Sequence, residues 1–484
     1  MSMPRGSSDI KPGFSLVEVL LSVALLAILS SALIGAYVQT QQSAMVTGNR
    51  SHALMMAEEG LEASRSIRDS GFNNLAIGSH GLAIQSNTWS FQGTSDTSGL
   101  FQRQVTVSRI DSSTVQATAT VTWPQTLQRS GQVSLVTYFT NWSAKTVGDW
   151  SAPRLVGSFN VAGTQSGQKI KTAGNYAYMI RASGTPNFII FNITDPVNPT
   201  VAGSMTLSGT PTNLDLAGNY VYVSSGNNAS ELQVIYVGNP ASPTLAGTYD
   251  ASGNPDANSV AVLGNQAYLV RNYNASANNF LVINLTFNET LHTVATSLLG
   301  STSITGNAMD VMVLPSGAQT YGYVASADNN GEFKVVNVTN PAAPVLVAGG
   351  VINLNGTNDA IAIAGYGSVV AISQLNSLYL VNVTNPLAPV LYNSLPYNAG
   401  GLINDIEAIA DLQYAFLGTS NASQELQILN IANPVSPAVV SAYNIPAPQP
   451  ASDPLNGVAY NASLDRLTAA ANSGSGELLI FGPP

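Results

Sequence analysis

The hydrophobic pattern of the chain changes twice within its first 150 residues. After a short polar segment, residues 14–38 (FSLVEVLLSVALLAILSSALIGAYV) form an almost unbroken apolar run. This run is long enough to cross a bilayer as a helix. An amphipathic helical pattern then continues to about Asp69, with two apolar stripes: Leu54, Ala57 and Leu61, and Met56, Ala63 and Ile67. We predict one helix about 80 Å long, at about 1.5 Å per residue. Its two stripes indicate two packing partners, and the alternative is a plain spacer helix.

From residue 72 to about residue 150 the period becomes two. Val115, Ala117, Ala119, Val121 and Trp123 alternate with polar residues, which is typical of a half-buried strand. Segments 102–110 and 132–139 have the same character, so we predict a small antiparallel sheet that covers one stripe of the helix. Residues 142–153 have the composition of a turn and linker.

From about residue 152 the chain repeats itself. One half of the unit is written GNYAYMI (174–180), GNYVYVS (218–224) or GNQAYLV (264–270). The other half is written FIIFNITDPVNP (188–199), LQVIYVGNPASP (232–243) or FKVVNVTNPAAP (333–344). Units of about 45–55 residues fit propeller blades of four strands. The prolines end a strand and turn the chain, and the preceding Asn can form an Asx-turn.

We count seven copies, although six or eight blades stay open because the third copy (280–291) lacks the prolines. The seventh copy ends at LLIFGPP (478–484), before its last strand. Residues 154–161 (RLVGSFNV) resemble the missing piece, as in TVAGSMTL (200–207). We therefore predict that this N-terminal strand completes the last blade and removes the free edges of the ring.

The composition of the chain argues against some classes of function. The net charge is −10 and only 9% of residues are charged, which argues against a nucleic-acid partner. The chain has no cysteine and therefore no disulfide. Its many Gly and Pro residues indicate a mainly β architecture rich in turns.

The segment KPGFSLVEVL (11–20) is similar to the processing signal of type IV prepilins and type II secretion pseudopilins. The resemblance implies that a prepilin peptidase cleaves between Gly13 and Phe14 and methylates the new amine of Phe14. It also implies that Glu18 faces the N-terminal amine of a neighbouring subunit. Each charge is costly alone in a low-dielectric bundle and much less costly when paired. Other pilin subunits, joined through the N-terminal helix, and membrane lipid are the implied partners.

Two further resemblances concern the rest of the chain. AEEGLEASRSIRD followed by FQRQVTV, VQATATVTW and LVTYFTNW resembles minor pilins and pseudopilins of the PilV or GspI type. The repeats resemble the LVIVD family of β-propellers, with Asn often in place of that family's Asp. The expected fold is mainly β: a long N-terminal helix with a small pilin-type antiparallel sheet, then a β-propeller of about seven four-stranded blades.

No catalytic constellation is evident, and we expect no enzyme, cofactor or metal. Among the acidic residues, a cluster at a propeller mouth is an open alternative for Asp310, Asp328, Asp359, Glu407 and Asp411. Residues 328–332 (DNNGE) offer oxygens to Ca²⁺ but lack EF-hand spacing, so a hairpin turn is the expected structure. The repeated tyrosines are expected in the core. The three histidines, at positions 52, 80 and 292, are far apart in the chain.

We therefore expect four segments: a leader (1–13), a transmembrane and assembly helix (14–70), a pilin-type β domain (71–150) and an LVIVD-like propeller (151–484). The function expected is that of a minor type IV pilin or pseudopilin that displays the propeller for adhesion or for binding a protein or glycan. It would lie in the inner membrane before assembly and then on a pilus or the cell surface, with the propeller extracytoplasmic. The alternatives are a type II secretion pseudopilin that recognises cargo, and a filament-tethered propeller hydrolase or lyase.

Overall fold

The structure is a computed structural model. It describes residues 15–85, 88–109, 114–126, 129–140, 148–163, 165–354, 356–392, 395–410, 413–446, 454–472 and 476–484. The chain forms two compact units, Met1–Ala144 and Lys145–Pro484. Each unit has its own hydrophobic core, and the two are described separately.

The first unit is built on one uninterrupted helix, α1 (Leu16–Ser70). Its 55 residues correspond to about 82 Å at about 1.5 Å per residue. A short 3-10 helix follows at Phe72–Asn74. The helix predicted from the apolar pattern is thus present, and it ends one residue beyond the expected position.

Six strands form an antiparallel sheet in the order β2-β1-β4-β5-β6, with β3 paired to β4. They are β1 (Gly78–Gln85), β2 (Thr88–Gln92), β3 (Asp96–Ser98), β4 (Phe101–Arg109), β5 (Thr114–Thr126) and β6 (Arg129–Thr140). The alternation predicted on β5 is confirmed, because its five apolar residues from Val115 to Trp123 are all buried. Their side chains face α1, which packs across β4, β5 and β6.

The helix presents one buried face to this sheet, rather than the two separate stripes expected from its sequence. The buried residues are Ala53, Met56, Ala57, Gly60, Ala63, Ser64 and Ile67. Most of them are small, so the helix backbone approaches the sheet closely; a Cβ added at Gly60 would lie 3.1 Å from that of Ala119. Leu54, which the sequence placed on a stripe with Ala57, is 40% exposed, because it lies outside this face.

A buried arginine joins the helix to the sheet. Arg103 on β4 donates from Nη1 to the Glu59 carboxylate (2.9 Å) and to the Met56 carbonyl (3.2 Å). Its Nη2 donates to Asp96 Oδ2 at 2.8 Å. Paired charges of this kind specify one docking geometry, because an unpaired guanidinium in the same place would be costly.

The second unit contains, within its described residues, seven antiparallel sheets of at least four strands. Successive sheets take successive stretches of the chain, as in a propeller. The strands of the first four are β8 (Gly167–Ala173), β9 (Tyr176–Arg181), β10 (Phe188–Asn192), β11 (Thr200–Met205); β12 (Pro211–Ala217), β13 (Tyr220–Ser225), β14 (Leu232–Tyr236), β15 (Thr244–Tyr249); β16 (Ala257–Leu263), β17 (Gln266–Arg271), β18 (Phe280–Asn288), β19 (Thr293–Thr302); and β20 (Ala308–Ser316), β21 (Gln319–Ser326), β22 (Phe333–Asn337), β23 (Val345–Ile352).

The remaining three sheets are β24 (Ala360–Tyr366), β25 (Val369–Gln374), β26 (Ser377–Asn382), with β27 (Val390–Leu391) and β28 (Tyr397–Asn398); β29 (Ile403–Ile409), β30 (Tyr414–Thr419), β31 (Leu426–Asn430), β32 (Ala438–Tyr443); and β33 (Leu455–Asn461), β34 (Arg466–Ala471), β35 (Leu478–Gly482) with β7 (Arg154–Phe159). We number these seven sheets as blades 1 to 7 in that order.

The ring is closed by the chain's own N-terminal strand of this unit. β7 pairs with β35, so that Leu478 lies opposite Phe159 and Gly482 opposite Arg154. The first strand of every blade contacts the first strand of the next, and β33 contacts β8. Seven blades and the predicted closing strand are both confirmed for the described residues.

The proline turns between the third and fourth strands fit against neighbouring blades. The predicted Asx-turns are present; for example, the backbone N–H of Val197 donates to Asp195 Oδ1 at 3.0 Å. The fourth strand of the preceding blade carries a glycine at the contact. A methyl group at Gly203 of blade 1 would collide with the carbonyl oxygen of Pro240 in blade 2, which explains the glycine in VAGSM; Gly247 in LAGTY meets the carbonyl oxygen of Val294 in blade 3 in the same way.

Residues 149–153 (DWSAP) form the same kind of turn for blade 7, ahead of its fourth strand. The N–H of Ser151 donates to Asp149 Oδ1 at 2.9 Å, and Ser441 of blade 6 donates to the Trp150 carbonyl at 2.8 Å. Trp150 takes the place of the first proline and is fully buried between Phe416 and Tyr460. The segment expected to be a linker is therefore, from Gly148 onward, part of the propeller.

Candidate functional site

The N-terminus of α1 is organised around Glu18. Ser15 is the N-cap residue: its hydroxyl accepts from the Glu18 N–H at 3.2 Å, and its own N–H donates to Glu18 Oε2 at 2.9 Å. This reciprocal capping box satisfies two otherwise free amides. Gly13 and Phe14, the predicted cleavage and methylation residues, lie outside the described residues. Glu18 thus holds its carboxylate at the N-terminal end of the helix, four residues after Phe14 in the sequence.

The N-terminal half of α1 makes no buried contact within the described residues, and its first buried residue is Ala53. Its apolar side chains are exposed, from Leu16 at 79% to Val46 at 46%. One window of this helix is apolar enough to cross a membrane, with a mean hydropathy of 2.5. An apolar surface of this kind requires contact with lipid or with other helices.

The propeller places its own polar cluster at the axis. The third residues of the seven first strands are Lys169, Asn213, Ser259, Asp310, Ala362, Asp405 and Gly457; the fifth residues are Lys171, Asp215, Ala261, Met312, Ala364, Glu407 and Ala459. We call these two sets the upper and lower axial rings. Residues of the upper ring meet across the axis, since Lys169 Nζ of blade 1 lies 2.7 Å from Asp405 Oδ1 of blade 6.

Three axial aspartates also bond to the next blade through its backbone. Asp215 Oδ2 accepts from the Val262 N–H at 2.7 Å, and Asp405 Oδ2 accepts from the Val458 N–H at 2.8 Å. Asp310 does the same through Oδ2, and its Oδ1 accepts from the Ser259 hydroxyl at 2.6 Å. These bonds join blades 2 to 3, 4 to 5 and 6 to 7.

The electrostatics of the axial rings follow from four carboxylates that surround two ammonium groups. Glu407, whose carboxylate lies 3.7 Å from Lys171 Nζ, is the main cause of a raised Lys171 pKa. Burial raises the pKa of Asp215, Asp310 and Glu407, and the lysine charges partly oppose this effect. Although blades surround it, the Lys171 side chain keeps 38% of its surface accessible, so water reaches the lower ring.

The acidic cluster considered from sequence is formed only in part. Asp310 and Glu407 lie in the axial rings. Asp328 lies instead in the β21–β22 turn, and exposed Asp359 lies directly before β24. Asp411 lies outside the described residues. The missed members are Lys169, Lys171, Asp215 and Asp405, and the missed signal is that they align at two positions of the seven first strands.

The side chain of Lys334 occupies the turn at residues 328–332 that was considered as a Ca²⁺ site. Lys334 Nζ donates to Asp328 Oδ2 at 2.8 Å and to the Gly331 carbonyl, while the Asn330 N–H donates to Asp328 Oδ1 at 3.1 Å. Glu332 points elsewhere and accepts from the Leu354 N–H at 2.7 Å. The described residues contain no group of three or more His, Cys, Asp or Glu placed to hold a metal ion.

The remaining candidate side chains are packing residues. Each histidine stacks on one aromatic ring; His292, for example, lies 4.0 Å from Tyr236 between ring centroids. The repeated tyrosines are mostly buried, as expected for core residues: Tyr178, Tyr220, Tyr222, Tyr268 and Tyr323. Tyr176, at the start of β9, is half-buried.

Two family models match the chain. The prokaryotic N-terminal methylation motif matches residues 11–34. The LVIVD repeat matches residues 166–206, 208–251 and 305–349. Neither matched region includes the sheet of the first unit, so its likeness to pilin domains rests on the sequence resemblance alone.

Among solved structures, the WD40 β-propeller domain of Doa1 is 11% identical, with 69% of this chain and 97% of that chain covered and a TM-score of 0.48. A chain of a mitotic checkpoint complex is 11% identical over 69% of this chain and 93% of that chain, with a TM-score of 0.46. YCF48 bound to D1 peptide is 9% identical over 68% and 94%, with a TM-score of 0.46. No curated protein matches the chain.

The fold assignment therefore rests on the closed ring of seven sheets and on the two matched sequence families. An apolar helix that begins within a methylation motif is typical of a membrane-anchored, pilin-like protein. The chain combines a prepilin-type N-terminus with a β-propeller that contains LVIVD repeats.

Proposed function

We propose that the protein is a minor type IV pilin or a pseudopilin whose stem delivers a propeller to the cell surface for adhesion or for binding a protein or glycan. The observation that carries this proposal is the pairing of the methylation motif with a helix whose apolar N-terminal half has no partner in the described chain. Other pilin helices and lipid fit that surface. The closed propeller is the part left to meet a ligand.

Processing is the first step of this proposal. Prepilin peptidase cleaves between Gly13 and Phe14 and methylates the Phe14 amine. Because Ser15 is the N-cap, the mature chain begins one residue before the N-cap. The new amine is then close in sequence to Glu18, whose carboxylate is available to pair with the amine of a neighbouring subunit.

The test is mass spectrometry of the N-terminal peptide from membrane and filament fractions. We expect a peptide that begins with N-methylated Phe14, and an uncleaved chain in Gly13→Val or in cells without the peptidase. An N-terminus at another position in the wild-type chain would refute this processing.

Display is tested separately, by immunogold electron microscopy with an antibody to the propeller. Sparse label along or at the tip of sheared filaments supports a minor pilin. Label near the envelope without long filaments supports a secretion pseudopilin. Label confined to the cytoplasmic side of the inner membrane contradicts both.

We also propose that the propeller binds rather than catalyses. Acidic residues do converge at the axis, which is the arrangement that a tethered hydrolase or lyase would need. However, three of the four axial carboxylates bond backbone amides of adjacent blades, and the fourth, Glu407, faces Lys171. Side chains engaged in this way support blade junctions.

A further inference from the structure

The third blade departs from the repeat at two places. Its β18–β19 hairpin is extended, and eight residues (272–279) connect β17 to β18. The corresponding connection has six residues in five other blades, and two in blade 5. Departures from an otherwise regular pattern are where functional sites are expected.

This longer connection forms one wall of a cleft of about 340 Å³. Its lining also includes Ser252, before blade 3, and Ser301 and Ser303 at the outer strand of the blade. Leu281 and Leu298 add apolar surface, and Leu298 is 49% exposed. The connection is tied to β19, since Asn278 Nδ2 donates to Ser301 Oγ at 2.8 Å. The cleft is therefore a preformed feature of the blade.

Arg271 also lines the cleft and is 1% exposed. Its Nε donates to the Asn278 carbonyl at 2.8 Å, but its Nη1 has no hydrogen-bond partner among the described residues. Burial lowers the pKa of Arg271, and the nearby Glu231 charge opposes this effect. A buried donor without an acceptor is costly, so this guanidinium lacks an anion or an acceptor oxygen.

The junction between blades 7 and 1 shows the same residue types in a close ion pair. There Arg181, at the end of β9, lies 2.9 Å from Glu477 of the preceding blade, and both side chains are buried. Arg271 and Glu231 occupy the equivalent positions of blades 3 and 2. Glu231, like Glu477, accepts a backbone N–H through Oε2, in this case from Ala251 at 2.8 Å. Among the described residues no ion pair joins it to Arg271, so Arg271 lacks the close carboxylate that Arg181 has.

We propose that this cleft binds the carboxylate-bearing sugar of an acidic glycan, with Arg271 pairing with the carboxylate. Guanidinium is suited to planar carboxylates. The serine hydroxyls that line the cleft suit sugar hydroxyls, and Leu298 offers an apolar contact to a sugar ring. The volume is sufficient for one or two sugar units. This inference specifies the ligand of the proposed display function, but it concerns the propeller alone.

The test is calorimetric titration of the full chain in detergent with glucuronic and galacturonic acid. Glucose and galactose are the neutral counterparts, and N-acetylaspartate amide is the simple carboxylate. We expect saturable binding of at least one uronic acid. The wild-type chain should bind the neutral counterpart at least roughly tenfold more weakly, and Arg271→Gln should bind the uronic acid at least roughly tenfold more weakly. Lys334→Gln, a change on β22 of blade 4 that does not touch a residue lining the cleft, is the control and should bind as the wild type does.

Thermal unfolding of Arg271→Gln shows whether the variant is folded, and Leu298→Ser provides a second variant that leaves Arg271 in place and should weaken binding several-fold. Equal affinity for neutral sugars, or for N-acetylaspartate amide, overturns the glycan assignment. No binding of either uronic acid, or unchanged binding by folded Arg271→Gln, also overturns it. None of these outcomes affects cleavage at Gly13 or filament labelling, so a failed glycan site and a failed display function are distinguishable.

Discussion

The stem and the propeller handle hydrophobic surface in opposite ways. The N-terminal half of α1 leaves long apolar side chains exposed, and the described chain supplies nothing to cover them. The propeller pairs the outer edge of its last blade with its own first strand, β7. The apolar helix surface requires a partner outside the described chain, whereas the ring of the propeller pairs its last edge within the chain.

Breaking the closure of the propeller should have the largest effect. Trp150→Ala removes a fully buried side chain and its bond from Nε1 to Asp465 Oδ1 (3.1 Å). We expect a loss of about 4 kcal/mol in the unfolding free energy of the propeller, because truncation leaves a large cavity. Denaturant unfolding of the full chain, monitored by proteolysis, measures this loss.

Trp150→Phe is the matched control, since it keeps an aromatic ring but loses the N–H donor; about 1 kcal/mol is expected. N-terminal processing should be unchanged in both variants. If Trp150→Ala is as stable as Trp150→Phe, the DWSAP turn is not a part of the closure.

Removing the charge of the stem should affect assembly without affecting the propeller. In Glu18→Ala we expect normal cleavage but roughly a hundredfold less incorporation into filaments, because an unpaired buried amine costs about 3 kcal/mol. Quantitative immunoblots of sheared filaments and membranes measure the ratio.

Ser15→Ala separates pairing from helix capping. It removes the hydroxyl that accepts from the Glu18 N–H, at a cost of about 1 kcal/mol, but retains the carboxylate. It should assemble nearly as the wild type does. Equal losses in both variants would indicate that the capping box, rather than a charge pair between subunits, governs assembly.

The same contrast explains what sequence could predict. The long helix, the number of blades and the closing strand follow from local periodicity and repetition, which can be read directly from the sequence. Trp150 was assigned to a linker because Asp and Trp replace the Asn-Pro of the other turns, so the copy is visible only once the ring is closed. Arg103 was missed because its bond to Glu59 depends on how the helix docks on the sheet, and its bond to Asp96 depends on the register of β3 and β4.

The axial rings are an intermediate case. Lys169 and Lys171 alternate on β8, as Asp405 and Glu407 do on β29, which places each pair on one side of its strand. Alignment of the seven first strands would have identified both rings. It would not have shown that Lys169 contacts Asp405 of blade 6, because that contact exists only when the blades are arranged around one axis.

The smallest effect we predict is a pH dependence confined to the propeller. Burial raises the pKa of six carboxyl groups at its blade junctions: Asp215, Glu231, Asp310, Glu332, Glu407 and Glu477. Above their ordinary pKa of about 4, the folded state therefore binds more protons than the unfolded state does. The unfolding free energy must then fall as pH rises from about 4 through the raised values.

At lower pH the effect reverses, because hydrogen bonds, from the Ser151 backbone to Asp149 and from the Asn198 side chain to Asp195, hold those pKa values below normal. We therefore expect the propeller's melting temperature to be highest in mild acid and to decrease toward neutral pH. Glu407→Gln should make this decrease smaller, since one of the six groups no longer titrates, whereas Glu62→Gln on the exposed surface of α1 should not change it. A melting temperature that rises steadily from pH 4 to pH 7 would show that the junction carboxylates are stabilised as anions, and the closed propeller would then depend on its ion pairs.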